Sequence, residues 1–180
     1  MSRAYPFDPA KLVIPVLFSR TDLYKKVRAV LERRFGQIDY ESPSQNFTFT
    51  HYYDEEMGYP IKRLFLSFRN LVRPEHLAGI KQLTNRLELR FREKEKRKVN
   101  LDPGLLTLSR FVLATTKENS HRIPLTGGIY GEITLIFRKG EYQPLEWTYP
   151  DFRSEAYRET LLHIRSLYKS QIHWNFRSQR

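Results

Sequence analysis

The residues of this chain that could do chemistry crowd into the segment between Val99 and Arg153. Lys117–Arg122 (KENSHR) places a cation, an amide, a hydroxyl, an imidazole and a guanidinium within six positions. In a loop, such a set can grip a phosphate or a carboxylate, with His121 donating a hydrogen bond or carrying a proton near neutral pH. Thr116 precedes it. Asn100 and Asp102 stand just before Pro103-Gly104, where Asp102 could orient a neighbouring His or Lys or else only satisfy a turn. Glu132 falls on the face of an expected strand that also carries Tyr130, Thr134 and Arg138, and is a candidate general base. Shared acid–base work by His121, Asp102 and Glu132 is one chemistry these residues allow. Anion binding by Lys117, Arg122 and Arg138 is the other.

Two further groups complete the candidates. Trp147 and Tyr149, in the run WTYPDFR, could stack on a base or a sugar, while Asp151 could bind ligand or cap the following helix. Asp54, with Glu56 two residues on, follows an expected strand and could hold a divalent cation through oxygen ligands. A solvated turn is the plainer reading of that acidic cluster.

Absences narrow the field. The chain has no cysteine, which removes disulfides, thiolate nucleophiles and Cys-containing zinc sites. It contains no G-x-x-x-x-G-K-[ST], H-E-x-x-H or G-x-S-x-G run, and its glycines are too sparse for a dinucleotide fingerprint. The formal net charge of +11 favours encounters with anions. Part of the surplus lies between Arg86 and Lys98, where interspersed Glu88, Glu93 and Glu95 fit a salt-bridged helix end as well as a docking face. RLFLSFRN, residues 63–70, shows a faint RNA-binder pattern without the glycines such modules use.

The elements that must position these residues can be read from periodicity. Lys11–Ser19 is a nearly continuous apolar run and reads as a buried strand. Thr21 can cap a helix carrying Leu23, Val27, Val30 and Leu31 inward and stopping at Gly36. Phe47–Tyr53 alternates like a strand, and Ile61–Phe68 follows as another, with Leu64, Leu66 and Phe68 on one face. Pro74 opens a helix to about Glu95, with Leu77, Ile80, Leu83 and Leu87 inward. Leu105–Thr115, His121–Leu125 and Tyr130–Arg138 extend the sheet, and a last helix from Ser154 to Ile172 buries Tyr157, Leu161, Ile164 and Tyr168. The order predicts one α+β domain over residues 1–180. Its sheet is mostly antiparallel, its helices pack on one face, and its first half is ferredoxin-like.

The runs VNLDPGLLTLSRFVLATTKENSHRI and GGIYGEITLIFRKGEYQPLEWTYPDFRS resemble those of bacterial proteins grouped as domain of unknown function 4416. KLVIPVLFSRTDLYKKV, FTHYYDEEMG and IKRLFLSF extend the resemblance to most of the chain. It implies that these segments belong to one domain and brings no activity with it. From the residues, the leading expectation is a cytoplasmic domain that binds a phosphate-bearing ligand, nucleotide or RNA, in a cleft built from residues 99–153. The alternatives are a hydrolase or transferase using Asp102, Glu132 and His121, with or without a divalent cation, and a non-catalytic structural or adaptor protein. No membrane-spanning segment or signal peptide is expected: the N-terminal apolar run is short and holds Pro15.

Overall fold

The structure, a computed structural model, describes Arg3 and residues 5–177, with side chains as far as Ile172. Among these residues ten strands form one antiparallel sheet, accompanied by four helices. The expected α+β class is the one observed. The sheet is centred on β1 (Ala10–Phe18) and β4 (Lys62–Val72), and its edge strand beyond β4 is β2 (Ile38–Glu41). On the other side of β1 lie β5 (Val99–Leu101) and β6 (Gly104–Leu106), then β7 (Arg110–Thr115), β9 (Tyr130–Arg138) and β10 (Glu141–Pro144). Two short strands complete it: β3 (Gln45–Asn46) beside β4 and β8 (Ile123–Pro124) beside β9.

The helices divide between the two faces of the sheet rather than sharing one. Leu12, Ile14 and Val16 of β1, with Leu64, Leu66 and Phe68 of β4, pack against Tyr24, Val27 and Leu31 of α1 (Thr21–Phe35) and Ile80 of α3 (Leu77–Arg90). The residues between them in sequence, Val13 and Phe65, point the other way. They join Leu135 and Tyr142 beneath Tyr157, Leu161, Ile164 and Tyr168 of α4 (Glu155–Arg177). Leu135 and half-buried Phe137 therefore meet α4, not the α1–α3 layer to which the one-faced arrangement would have assigned them. A sheet of nine- and eleven-residue strands with both faces apolar needs cover on both sides.

Local chemistry explains three further details. Arg20, not Thr21, precedes the first turn of α1, and no side chain caps it. The β9–β10 hairpin turns on Lys139 and Gly140, both at positive φ (52° and 87°), the two-residue geometry whose twist suits antiparallel strands. Phe47–Tyr53 is not a strand: after Asn46 the chain leaves the sheet and enters α2 (Asp54–Met57). There Thr50 Oγ accepts from Tyr52 N and His51 O from Asp54 N, so turn bonds take the place of ladder bonds. The alternation of aromatics in this stretch has a different origin, described next.

Candidate functional site

The site begins with a gap in strand pairing. β1 pairs with β5 through Val16–Phe18 and with β6 through Lys11–Val13, which leaves Ile14 and Pro15 opposite Asp102 and Pro103. Neither proline has an N–H to give, so the ladder cannot run through this point. One backbone bond crosses it, Asp102 N to Pro15 O at 3.1 Å. Asp102 is thereby held in the sheet while its carboxylate is free of a regular cross-strand neighbour.

Asp102, at this gap, also lines a cleft of about 480 Å³, within the range of small-molecule sites. Asp102 is at its floor. Asn100 Nδ2 donates to its Oδ2 at 2.6 Å; Arg63 Nη1 stands 3.4 Å from Oδ2, and Lys81 Nζ 3.5 Å from Oδ1. Lys81 Nζ also donates to Leu101 O at 2.8 Å. The other end of the Arg63 guanidinium lies 3.4 Å from Asp151. Arg63 has a side chain 4% exposed, and its Nε has no partner. Burial raises the Asp151 pKa, the neighbouring Asp102 charge adds to the rise, and Arg63 opposes it.

Helix α3 supplies the adjoining wall through a polar stripe. Lys81, Thr84 and Glu88 follow helical spacing and are buried, whereas the expected inward residues Leu83 and Leu87 are only half-buried. Glu88 accepts from Leu101 N at 2.7 Å and from Arg97 Nη1 at 3.4 Å. Burial pushes its pKa up to about 7. Arg97 in turn donates to Asn100 Oδ1 at 2.9 Å and pairs with Glu56 at 2.9 Å.

Six of the lining residues are aromatic. Phe47, Phe49, Tyr52 and Tyr53 line one side, Tyr149 and Phe152 another. Three cations lie over these rings: Arg63 over Phe47 at 5.2 Å, Arg97 over Tyr53 at 5.4 Å and Lys117 over Tyr52 at 5.0 Å. This accounts for the near-alternating aromatics of residues 47–53: they wall a cleft and do not pave a sheet. Burial raises the Tyr53 pKa to about 12, so its hydroxyl stays protonated and able to donate.

Glu132 closes the back. Its Oε2 accepts from Arg122 Nε at 2.8 Å and meets His121 Nε2 at 3.0 Å. Arg122 also donates to Tyr149 Oη at 2.7 Å and to Lys117 O at 2.9 Å, which ties the 117–122 loop to the wall. The His121 ring stacks on Trp147, centroids 5.0 Å apart and planes 10° apart, and the Trp147 indole N–H donates to Ile133 O.

The candidate residues thus separate. Asn100, Asp102, Thr116, Lys117, Glu132, Tyr149 and Asp151 line the cleft. His121 reaches it only through Glu132 and makes no bond to Asp102, so the three acid–base candidates form a pair and a separate carboxylate. Trp147 lies outside the cleft lining; His121 stacks on one face of its ring, and the residue remains 37% exposed. Arg122 is also outside the cleft lining, and its three bonds go to Glu132, Lys117 O and Tyr149 Oη. Arg138 is exposed at the last position of β9, opposite Glu141 in the hairpin. Six residues of strand, about 20 Å, separate it from Glu132. Asp151 does not cap α4 with its carboxylate; its backbone oxygen accepts from Ser154, and the carboxylate turns to Arg63. Asp54 is engaged by His51 at 2.7 Å and Glu56 by Arg97. Among the described residues no three His, Asp or Glu side chains are grouped to hold a metal ion.

Arg63, Lys81, Glu88 and Arg97 were not among the sequence candidates. Only the buried polar stripe of α3 carried a readable signal, three polar side chains at core spacing in an amphipathic helix.

Fold and site together define an α+β protein with an antiparallel sheet and a cleft lined by charged and aromatic residues. The family model for the domain of unknown function DUF4416 matches residues 8–168, and the chain belongs to that family. No curated protein and no solved structure matches the chain. Among the described residues no helix is long and apolar enough to cross a membrane.

Proposed function

We propose that the cleft binds a small phosphate-bearing ligand of mononucleotide size. The observation that carries this reading is the grouping of Arg63, Lys81, Arg97 and Lys117 on one cavity together with six aromatic residues. Guanidinium and ammonium groups serve phosphate oxygens, and tyrosine or phenylalanine rings serve a base or sugar face. Asp102, Asp151 and Glu88 hold Arg63, Lys81 and Arg97 in place, while Lys117 lies exposed over the Tyr52 ring. A cavity of about 480 Å³ takes one nucleotide and not a folded RNA segment. A chain without cysteine suits the reducing cytoplasm, where such ligands are abundant.

Thermal unfolding with millimolar adenosine 5′-monophosphate, ribose 5-phosphate, orthophosphate or a single-stranded RNA, each at two salt concentrations, tests the proposal. The mononucleotide should raise the midpoint in proportion to the logarithm of its concentration. Lys117→Ala, which removes an exposed cation over Tyr52, should weaken binding about tenfold without lowering stability. RNA stabilising the protein where no mononucleotide does would move the ligand site to the outer surface.

The hydrolase or transferase reading keeps one observation, the His121–Glu132 pair with Glu132 on the cleft wall. It expects turnover of a nucleotide that His121→Ala abolishes while binding persists.

A further inference from the structure

Asp102 is the most accessible of the acidic side chains that line the cleft. It is 27% exposed, against 9% or less for Glu88, Asp151 and Glu132. Its two oxygens are used unequally. Oδ2 accepts from Asn100 Nδ2 at 2.6 Å and has Arg63 Nη1 at 3.4 Å. Among the described residues Oδ1 accepts no hydrogen bond: Lys81 Nζ stands 3.5 Å away and makes its close bond with Leu101 O at 2.8 Å. Arg63 and Arg97 cannot serve Oδ1 instead, because the first bridges Asp102 Oδ2 and Asp151 and the second bridges Glu56 and Glu88. The cleft therefore offers a ligand one reachable carboxylate oxygen with acceptor capacity to spare.

From this asymmetry we infer that the ligand carries a ribose, and that Asp102 Oδ1 accepts a hydrogen bond from its 2′- or 3′-hydroxyl. The inference rests on the phosphate-ligand reading above and names the sugar of that ligand. A hydroxyl is the donor that suits this oxygen: it satisfies the acceptor without adding charge, as it does where an acidic side chain takes the ribose of a dinucleotide. Phosphate belongs elsewhere, since beside Asp102 it would set like charges together. Lys117 is its place: it lines the cleft, is exposed, and pairs with no carboxylate among the described residues. The chain leading to Lys117 runs beside Asp102, because Ala114 N donates to Pro103 O at 3.0 Å. The base is left the rings of Phe49, Tyr52 and Tyr149, each more than a third exposed on the same cavity. Asp102 is thus a specificity-determining residue, selecting ribose over deoxyribose.

Titration calorimetry with matched sugars measures this directly. The ligands are adenosine, guanosine, cytidine and uridine 5′-monophosphates, each against its 2′-deoxy and 3′-deoxy analogue. For the nucleotide that binds best, one deoxy analogue should bind about tenfold to a hundredfold more weakly, the size of a hydrogen bond to a charged group. Asp102→Ala should abolish that ratio. Lys117→Ala should weaken ribose and deoxyribose forms together and leave the ratio as it was. The ratio is the readout because removing a negative charge alters the phosphate affinity of both forms alike. Equal affinities for all sugars, a ratio that survives in Asp102→Ala, or orthophosphate binding with no nucleotide bound overturns the inference while the phosphate reading stands. If neither orthophosphate nor any nucleotide binds, both fall. Should Asp102→Ala fail to fold, Asp102→Asn takes its place: it keeps an acceptor for Asn100 and, lacking the charge, should shrink the ratio. An unchanged ratio there overturns the inference equally.

Discussion

Two buried cations, Lys11 and Arg63, stand on neighbouring central strands of the same sheet and live in opposite circumstances. Lys11 on β1 is fully buried, its ammonium paired with Asp39 and bonded to Gln171 Oε1 at 2.8 Å. Ser67 completes the group by donating to the other oxygen of Asp39 at 2.6 Å. That cluster joins β1, β2, β4 and α4 and is not part of the cleft. Arg63 on β4 has two carboxylates, but each stands at 3.4 Å, one of its nitrogens has no partner, and it faces a cavity. A closed polar cluster specifies how elements pack. An open one, with long contacts, leaves donor capacity unused beside a cavity.

Breaking the closed cluster should have the largest effect. Lys11→Ala strands Asp39 and empties core volume, and removing one partner of a buried pair typically costs about 3–5 kcal/mol. The denaturant midpoint should fall accordingly, while nucleotide affinity, measured below the new transition, stays as it was. A change under about 1 kcal/mol would mean that water reaches Asp39 freely and the cluster is not closed.

Glu88 sharpens the comparison through pH. Its carboxyl is raised from the usual 4.5 to about 7 in the folded protein by burial. Between those values the native state binds more protons than the unfolded chain, so stability falls as pH rises through the window and levels off above it. The full span is on the order of 3 kcal/mol at about 1.4 kcal/mol per unit. Urea titrations from pH 4.5 to 8 should show the decline, and Glu88→Gln should flatten it. A Glu88→Gln protein with the same slope as wild type would assign the decline to another group.

The smallest effect belongs to Arg138. Arg138→Ala should leave both nucleotide affinity and unfolding midpoint within error of wild type, in contrast to Lys117→Ala. A loss of affinity at Arg138 equal to that at Lys117 would mean that anions are drawn by the general surface charge and not by the cleft.

How far the site could be read in advance follows from what kind of neighbour each residue has. Asn100, Asp102, Lys117, Glu132, Tyr149 and Asp151 stood out because local sequence marks them: turns, prolines, and a carboxylate in a strand. Arg63 and Arg97 sit among other basic residues, and nothing nearby separates a cation with a buried partner from one in solvent. Arg138 shows the converse error. It shares a strand face with Glu132, but a shared face does not mean a shared place when the strand is nine residues long.

Periodicity by itself determined the long elements: the apolar run of β1, the amphipathic α1 and α4, the alternation of β4 and β9, and hence the α+β class. These are near-neighbour properties, set by which side of a helix or strand avoids water. Tertiary structure alone decided that α4 covers the face opposite α1 and α3, since apolar residues on both sides of a strand do not say which helix each side meets. It decided too that the aromatics of residues 47–53 wall a cavity. Two prolines far apart in sequence, Pro15 and Pro103, meet at one gap in the strand pairing, next to Asp102 of the cleft. Such long-range coincidences of missing donors and buried charges depend on the folded arrangement of several elements, and no local pattern in the chain encodes them.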